Sequence, residues 1–234
     1  MTLLLPYLCT IFVLASETTT PQERGGWHAE RHQAINQVVA HTPGDVDIVF
    51  VGDSITQGWE TAGRSVWDES YGNRSAINLG ISGDRTEHVL WRLEHGNLDG
   101  ITPKVAVVMI GTNNIGHQIH TTSEVLAGVQ AVVRRIHELS PQTAVLLLDI
   151  FPRGAAFNVD RGRILQINQA LARLDDGKRV VFLPIGQVFL EDDGSISPEI
   201  MPDALHLTTA GYKQWRDAIE PTLQRMLADG KSKE

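Results

Sequence analysis

The stretch Val46-Asp-Ile-Val-Phe-Val51, running into Gly52-Asp-Ser-Ile-Thr56, decides the fold. Four of its six strand positions are Val or Ile, and Pro43-Gly44 and Gly52 bound it. A short apolar run between turn residues reads as a buried strand. The same pattern returns in Ser75–Leu79, ended by Gly80, and in Val105–Ile110, ended by Gly111. It returns again in Ala144–Leu148 and Arg179–Leu183. Between and around these runs lie segments with helical apolar spacing: Trp27–Val39, Thr86–Leu93, Ser123–Leu139, Arg161–Leu174 and Thr208–Leu227, the last containing Pro221. Asp84 reads as the N-cap of the second of these. Apolar strands alternating with helices predict a five-stranded parallel sheet covered on both faces, a doubly wound α/β/α sandwich. In such sheets ligands sit beyond the carboxyl ends of the strands. The loops to inspect therefore start at Gly52, Gly80, Gly111, Ile150 and Pro184.

Composition narrows the class. The chain has 234 residues, 20 Lys+Arg against 28 Asp+Glu, a net charge of −8 and one cysteine, Cys9. The length suits one α/β domain with its own core. The acidic balance, without a block of basic residues, argues against a nucleic-acid partner. A lone cysteine excludes an intrachain disulfide framework and a cysteine-based zinc finger. Leu3–Leu14 is an apolar run of signal-peptide length, followed by Ala15 as a cleavage point. It predicts an exported protein with residues 1–16 as leader, 17–26 as a linker, one domain over 27–229 and a polar tail over 230–234. No stable membrane anchor is expected.

Four segments carry chemistry. In Gly52-Asp-Ser54, a serine directly after a strand can present both its hydroxyl and its N–H to one cavity; a phosphate-cradling turn is the rival, although neither a G-x-G-x-x-G nor a Walker lysine is present. In Gly80-Ile-Ser-Gly83, glycines let backbone approach a ligand, and the Gly83 N–H is available if it precedes the helix. In Gly111-Thr-Asn113-Asn114, an Asn side chain can serve as an oxyanion donor, the alternative being an Asx turn. In Asp203-Ala-Leu-His206, the carboxylate can accept from Nδ1–H of the imidazole and leave Nε2 as a base. Each has a purely structural alternative on its own.

Taken together, and with His88–Leu93, Phe151-Pro-Arg-Gly154 and Leu205-His-Leu-Thr208, the set resembles the SGNH (GDSL-like) hydrolases. Within that family it is most similar to the catalytic α subunits of intracellular platelet-activating-factor acetylhydrolase and their bacterial relatives. The resemblance spans about Val46 to Tyr212 and implies a flavodoxin-like fold and a serine esterase without cofactor or metal. It implies Ser54 as nucleophile, His206 as general base and acid, and Asp203 as its orienting partner. The oxyanion hole would be the Ser54 and Gly83 N–H groups and the Asn113 side chain. Ile55 replaces the family's Leu, and Ser82 stands where the eukaryotic subunits have Gly. A homodimer is expected only from those relatives.

The expected substrate is a small ester or an acetylated glycan, with Ile55, Asn114 and Leu205 as candidate pocket residues. A generic arylesterase, a lysophospholipase or thioesterase, or a catalytically silent binding module are the alternatives. His28 and His32 read as a solvated helix face, His117 and His120 as possible rim residues, and Trp59 and Trp67 as either a substrate platform or packing. Arg153 reads as an anchor or a substrate contact.

Overall fold

The computed structural model describes residues 16–42 and 46–231, with the side chains of 230 and 231 excepted. The leader, its Ala15 cleavage point, Cys9 and the turn at Pro43-Gly44 lie outside the described residues. Five strands form one parallel sheet: β1 (Ile48–Gly52), β2 (Ala76–Asn78), β3 (Val105–Met109), β4 (Ala144–Leu148) and β5 (Val180–Leu183). Their order is β2-β1-β3-β4-β5, with Phe50 opposite Asn78 on one side and opposite Val107 on the other. The chain reverses its winding direction between β1 and β3, which opens a crevice at their carboxyl ends.

Eight α-helices are described beside the sheet: α1 (Trp27–Ala40), α2 (Ser54–Gln57), α3 (Arg64–Ser70), α4 (Thr86–Arg92), α5 (Thr112–Gly116), α6 (Thr122–Leu139), α7 (Val159–Leu171) and α8 (Thr209–Lys231). The two faces of the sheet follow the period of two along each strand. Val49 and Val51 point to a core shared with α1, α4, α6 and α7. Ile48 and Phe50 point to a core shared with α3 and α8. All four side chains are fully buried, which explains why β1 reads as a continuous apolar run and not as an alternation.

Several expectations change. Trp59 is fully buried and sits against Phe50, Tyr71, Tyr212 and Trp215, with Trp67 joining the same aromatic group. Trp59 is a core residue and offers no platform to a substrate, and Trp67 packs, partly buried, against the same core. His32 is buried against Trp91 and Asn97, not solvated. The N-cap of α4 is Arg85, whose N–H donates to His88 Nδ1 at 3.0 Å. Burial, with Arg24, Arg85 and Arg92 nearby, pushes His88 down to about 3, so it is a neutral acceptor.

Residues 17–26 are not a free linker. Glu17–Thr19 forms a 3-10 turn, and Thr18, fully buried, donates to the Glu124 carbonyl at 2.8 Å and accepts from Thr86 Oγ1 at 2.9 Å. α6 can come this close because it carries Gly128 at the crossing. A Cβ there would meet Thr86 Oγ1 at 2.3 Å and the Thr18 carbonyl at 2.9 Å. At the other end, α8 runs to Lys231, past the expected stop at Leu227 and into the segment read as a tail.

Candidate active site

Ser54 opens α2 at the carboxyl end of β1. Asp53 caps this helix, its Oδ1 accepting from the Ile55 N–H at 3.0 Å. The Tyr212 hydroxyl on α8 donates to the Ile55 carbonyl at 2.6 Å and pins the turn from the opposite layer. Ser54 Oγ lies 2.9 Å from His206 Nε2, and His206 Nδ1 lies 2.6 Å from Asp203 Oδ2. Asp203 Oδ1 also accepts from the N–H groups of Leu205 and His206 at 3.0 and 2.7 Å. Partial desolvation works to raise the Asp203 carboxyl, but the His206 side chain and these N–H donors outweigh it and hold it below the ordinary range. Nδ1–H therefore faces a carboxylate, which leaves Nε2 as an acceptor for the serine proton.

The loops after β2 and β3 close on the same point. The Ile81 N–H donates to the Gly52 carbonyl at 3.3 Å and the Ser82 N–H to Gln57 Oε1 at 2.7 Å. Gly83 has φ +75°, a left-handed conformation that glycine adopts without penalty. Among the described residues no hydrogen bond uses its N–H, nor the N–H of Ser54. Asn113, in the first turn of α5, donates one Nδ2 hydrogen to the Asp84 carbonyl at 2.9 Å. Its second Nδ2 hydrogen has no hydrogen-bond partner among the described residues.

Two charged residues not singled out from the sequence as site builders hold this arrangement. Asp84 is 1% exposed; its carboxylate takes Arg92 Nε at 2.7 Å and Arg24 Nη1 at 2.9 Å. Arg92, equally buried, also donates to Asn97 Oδ1 at 2.5 Å and to the Gly52 carbonyl at 3.2 Å. One guanidinium thus ties the loop before Ser54 to the loop that carries Gly83. Arg153 is an anchor: its Nη1 donates to the Thr112 carbonyl at 2.8 Å and to Thr112 Oγ1 at 3.2 Å.

The pocket expectations change most. Ile55 is 1% exposed and packs into the core beneath α2, so it lines no acyl pocket. Asn114 is fully buried; its amide donates to Glu87 Oε2 and Thr86 Oγ1 while its oxygen accepts from the Thr86 N–H. It is a scaffold residue. Leu205, partly buried on the Asp203–His206 turn, remains at the surface of the site. His117 is exposed one turn beyond Asn113, with burial and the cations Arg85, Arg153 and Arg24 pushing it down. His120 is buried, 3.3 Å from the Asn114 amide and 3.4 Å from Glu17, and does not line the rim. Glu17, Glu87 and His120 bring three metal-type ligand atoms within 4.8 Å of one another. Arg85 already pairs with both carboxylates there, at 3.6 and 2.5 Å. Elsewhere, an apolar cleft of about 500 Å³ lies beside α7, lined by Phe157, Leu165, Phe182 and Leu190 among others, but not by Ser54 or His206.

Asp53 gives a pH prediction. It is fully buried, and only Oδ1 has a partner. Burial above all pushes its carboxyl from 3.8 up to about 7, against the pull of the Ile55 N–H. A carboxyl raised in the folded state stabilises the fold below its unfolded value and loses that contribution as pH rises through the folded value. Wild-type stability, measured against Asp53→Asn by denaturant unfolding, is expected to fall between about pH 4 and pH 7. A constant difference across that window would contradict the assignment.

The parallel sheet in the order β2-β1-β3-β4-β5 is a three-layer α/β architecture, and at its carboxyl edge Ser54 meets the Asp-x-x-His turn. Residues 50–214 match the model of the GDSL-like lipase/acylhydrolase family. The chain belongs to that family and is a carboxylic ester hydrolase. It is 38% identical over 218 residues to the human platelet-activating factor acetylhydrolase IB subunit alpha1, covering 92% of this chain and 91% of that protein. With the rat alpha2 subunit it shares 39% over 184 residues, 78% of each chain. Among solved structures, a GDSL-like lipase of Bacteroides thetaiotaomicron superposes with a TM-score of 0.66 at 20% identity, covering 85% of this chain and 96% of that one. An acetylxylan esterase of Geobacillus stearothermophilus gives 0.62 at 18%, covering 78% and 95%. At these identities the solved structures establish the shared fold. No helix among the described residues is long and apolar enough to cross a membrane.

Proposed function

We propose that the chain removes short acyl groups, acetyl foremost, from bulky alcohols such as glycans, through an acyl-enzyme on Ser54. The single observation that carries the chemistry is the unbroken relay from Ser54 Oγ to His206 Nε2 and from His206 Nδ1 to Asp203. Ser54 Oγ forms a bond to the ester carbonyl carbon while its proton passes to His206 Nε2. The carbonyl oxygen, now negative, accepts from the N–H groups of Ser54 and Gly83 and from Asn113 Nδ2. The C–O bond to the alcohol breaks, and His206 returns the proton to the departing oxygen. Water then attacks the acyl-serine by the same route, releasing the carboxylic acid and restoring Ser54. The reaction uses no cofactor and no metal.

One feature supports a bulky alcohol and another a short acyl group. The side chains of Asp203 and His206 are 54% and 47% exposed, so the leaving-group side of the site is open. Relatives named for acetylated substrates, an acetylhydrolase and an acetylxylan esterase, support the short acyl group. The enzyme is taken to be exported, on the strength of the apolar run Leu3–Leu14. A series of p-nitrophenyl esters tests the chain-length reading: kcat/KM is expected to be highest for the acetate and to fall through the octanoate. Preference for the octanoate would replace it with a lysophospholipase or lipase reading. Acetate release from acetylated xylo-oligosaccharides, set against a simple aryl acetate, separates a carbohydrate esterase from an arylesterase.

A further inference from the structure

We infer that Arg161, outside the reacting groups, is a positioning residue that holds the Asp203–His206 turn in register with Ser54. The inference rests on the triad reading above. Arg161 lies in the first turn of α7, where Asn158 caps the helix by accepting from the Arg161 N–H at 3.0 Å. Its guanidinium meets three backbone carbonyls: Arg153 from Nε at 3.2 Å, Gly154 from Nη2 at 2.5 Å, and Gly194 from Nη1. Among the described residues no carboxylate pairs with it. Arginine is the side chain that can serve several acceptors in one fixed plane, and here all of them belong to loops.

The peptide between Arg153 and Gly154 is the link to the site. Its oxygen accepts from Arg161 Nε and from Asn158 Nδ2, the latter at 2.9 Å. Its N–H donates to the carbonyl of Ala204 at 2.8 Å. A peptide held at its oxygen by a cation is both fixed in orientation and a stronger donor at its nitrogen. Ala204 sits between Asp203 and His206 and has φ +56°, a conformation that residues with a Cβ rarely adopt and keep only when their surroundings impose it. That conformation lets Asp203 Oδ1 collect the Leu205 and His206 N–H groups while Oδ2 meets His206 Nδ1. Arg161 acts on the imidazole through three steps: the Arg153–Gly154 peptide, Ala204 and the Asp203 carboxylate.

The test uses the full chain with Arg161→Ala and Arg161→Lys, p-nitrophenyl acetate as substrate, and active sites counted with a fluorophosphonate. Expected is a fall in kcat per titrated site of about 10–10²-fold for the alanine variant, with KM little changed and partial recovery in the lysine variant. The acid limb of the pH profile is expected to move to lower pH, because an imidazolium less well held by Asp203 releases its proton more readily. The far-downfield proton resonance of His206 Nδ1–H should broaden or vanish in the alanine variant. A merely structural role would lower the number of titratable sites and leave kcat per site, the acid limb and that resonance where they are; this result overturns the inference. If the alanine variant does not fold, Arg161→Gln decides by the same three readouts. Failure of the underlying reading looks different: Ser54→Ala would then keep the activity of the wild type.

Discussion

Replacing Ser54 with alanine is expected to lower kcat for p-nitrophenyl acetate by about 10⁴–10⁶-fold, with the folded state intact. The size follows from what the hydroxyl does. On the proposed mechanism no acyl-enzyme forms without it, and the residual rate is that of direct water attack on the bound ester. His206→Ala is expected to fall to the same level, because a neutral serine without a base at 2.9 Å is a poor nucleophile. The double variant should be no worse than either single one, since both remove the same step. Asp203→Asn should cost about 10⁴-fold by favouring the wrong tautomer of His206. Steady-state kinetics with Tm measured in parallel checks all four. A Ser54→Ala enzyme within tenfold of wild type would remove Ser54 from the mechanism.

The second large effect concerns stability. Asp84→Asn is expected to destabilise the fold by about 3–5 kcal/mol, because it strands the charge of Arg92 in the interior. Arg92 is 3% exposed and has no other carboxylate within reach among the described residues; Asn97 and the Gly52 carbonyl solvate it but do not neutralise it. In a chain of this length such a loss lowers Tm by about 6–20 °C. Substituting Arg92→Met in the Asp84→Asn background should restore part of it, since the desolvated charge is then gone. If the single variant melts with the wild type, the ion pair is not the tie between the Ser54 and Gly83 loops. The pair's worth lies in geometry more than in net stabilisation: it joins the chain before Ser54 to the loop that carries Gly83.

What could be read in advance follows from how each feature is encoded. The strands were legible because both faces of β1, β3 and β4 are covered, so Val, Ile and Leu stand at nearly every position. The ends moved by one or two residues, as at Val46 against Ile48, because pairing and not hydropathy stops a strand. The short helices α2, α3 and α5 left no trace; α2 and α5 have only four and five residues, and α3 buries only Val66, whereas α4, equally short as α3, was legible because Val89, Leu90 and Leu93 line one face. Ser54, Asp203 and His206 could be picked out by residue type and order, and the structure brings the three into one hydrogen-bonded row. Ile55 and Asn114 were misjudged because neighbours in sequence share no direction. In the first turn of a helix the residue after Ser54 points into the core, and the residue after Asn113 points at Thr86 and Glu87. Asp84 looked like a cap because its spacing to Thr86 fits one; its two arginine partners come from α1's approach and the end of α4, 60 and 8 residues away.

The packing of Thr18 has a practical corollary for shortening the chain. A version starting at Ser16 keeps Thr18 between α4 and α6, bonded to Thr86 and to the Glu124 carbonyl. Starting four residues later removes Thr18 from the seam above Gly128 and leaves the Thr86 hydroxyl without the Thr18 carbonyl. The wall of that seam is the first turn of α4, directly after Gly83 and Asp84. A trimmed N-terminus therefore reaches the loop that carries Gly83 through a single helix turn, and the boundary of the smallest sound domain falls ahead of residue 18, well before the first strand.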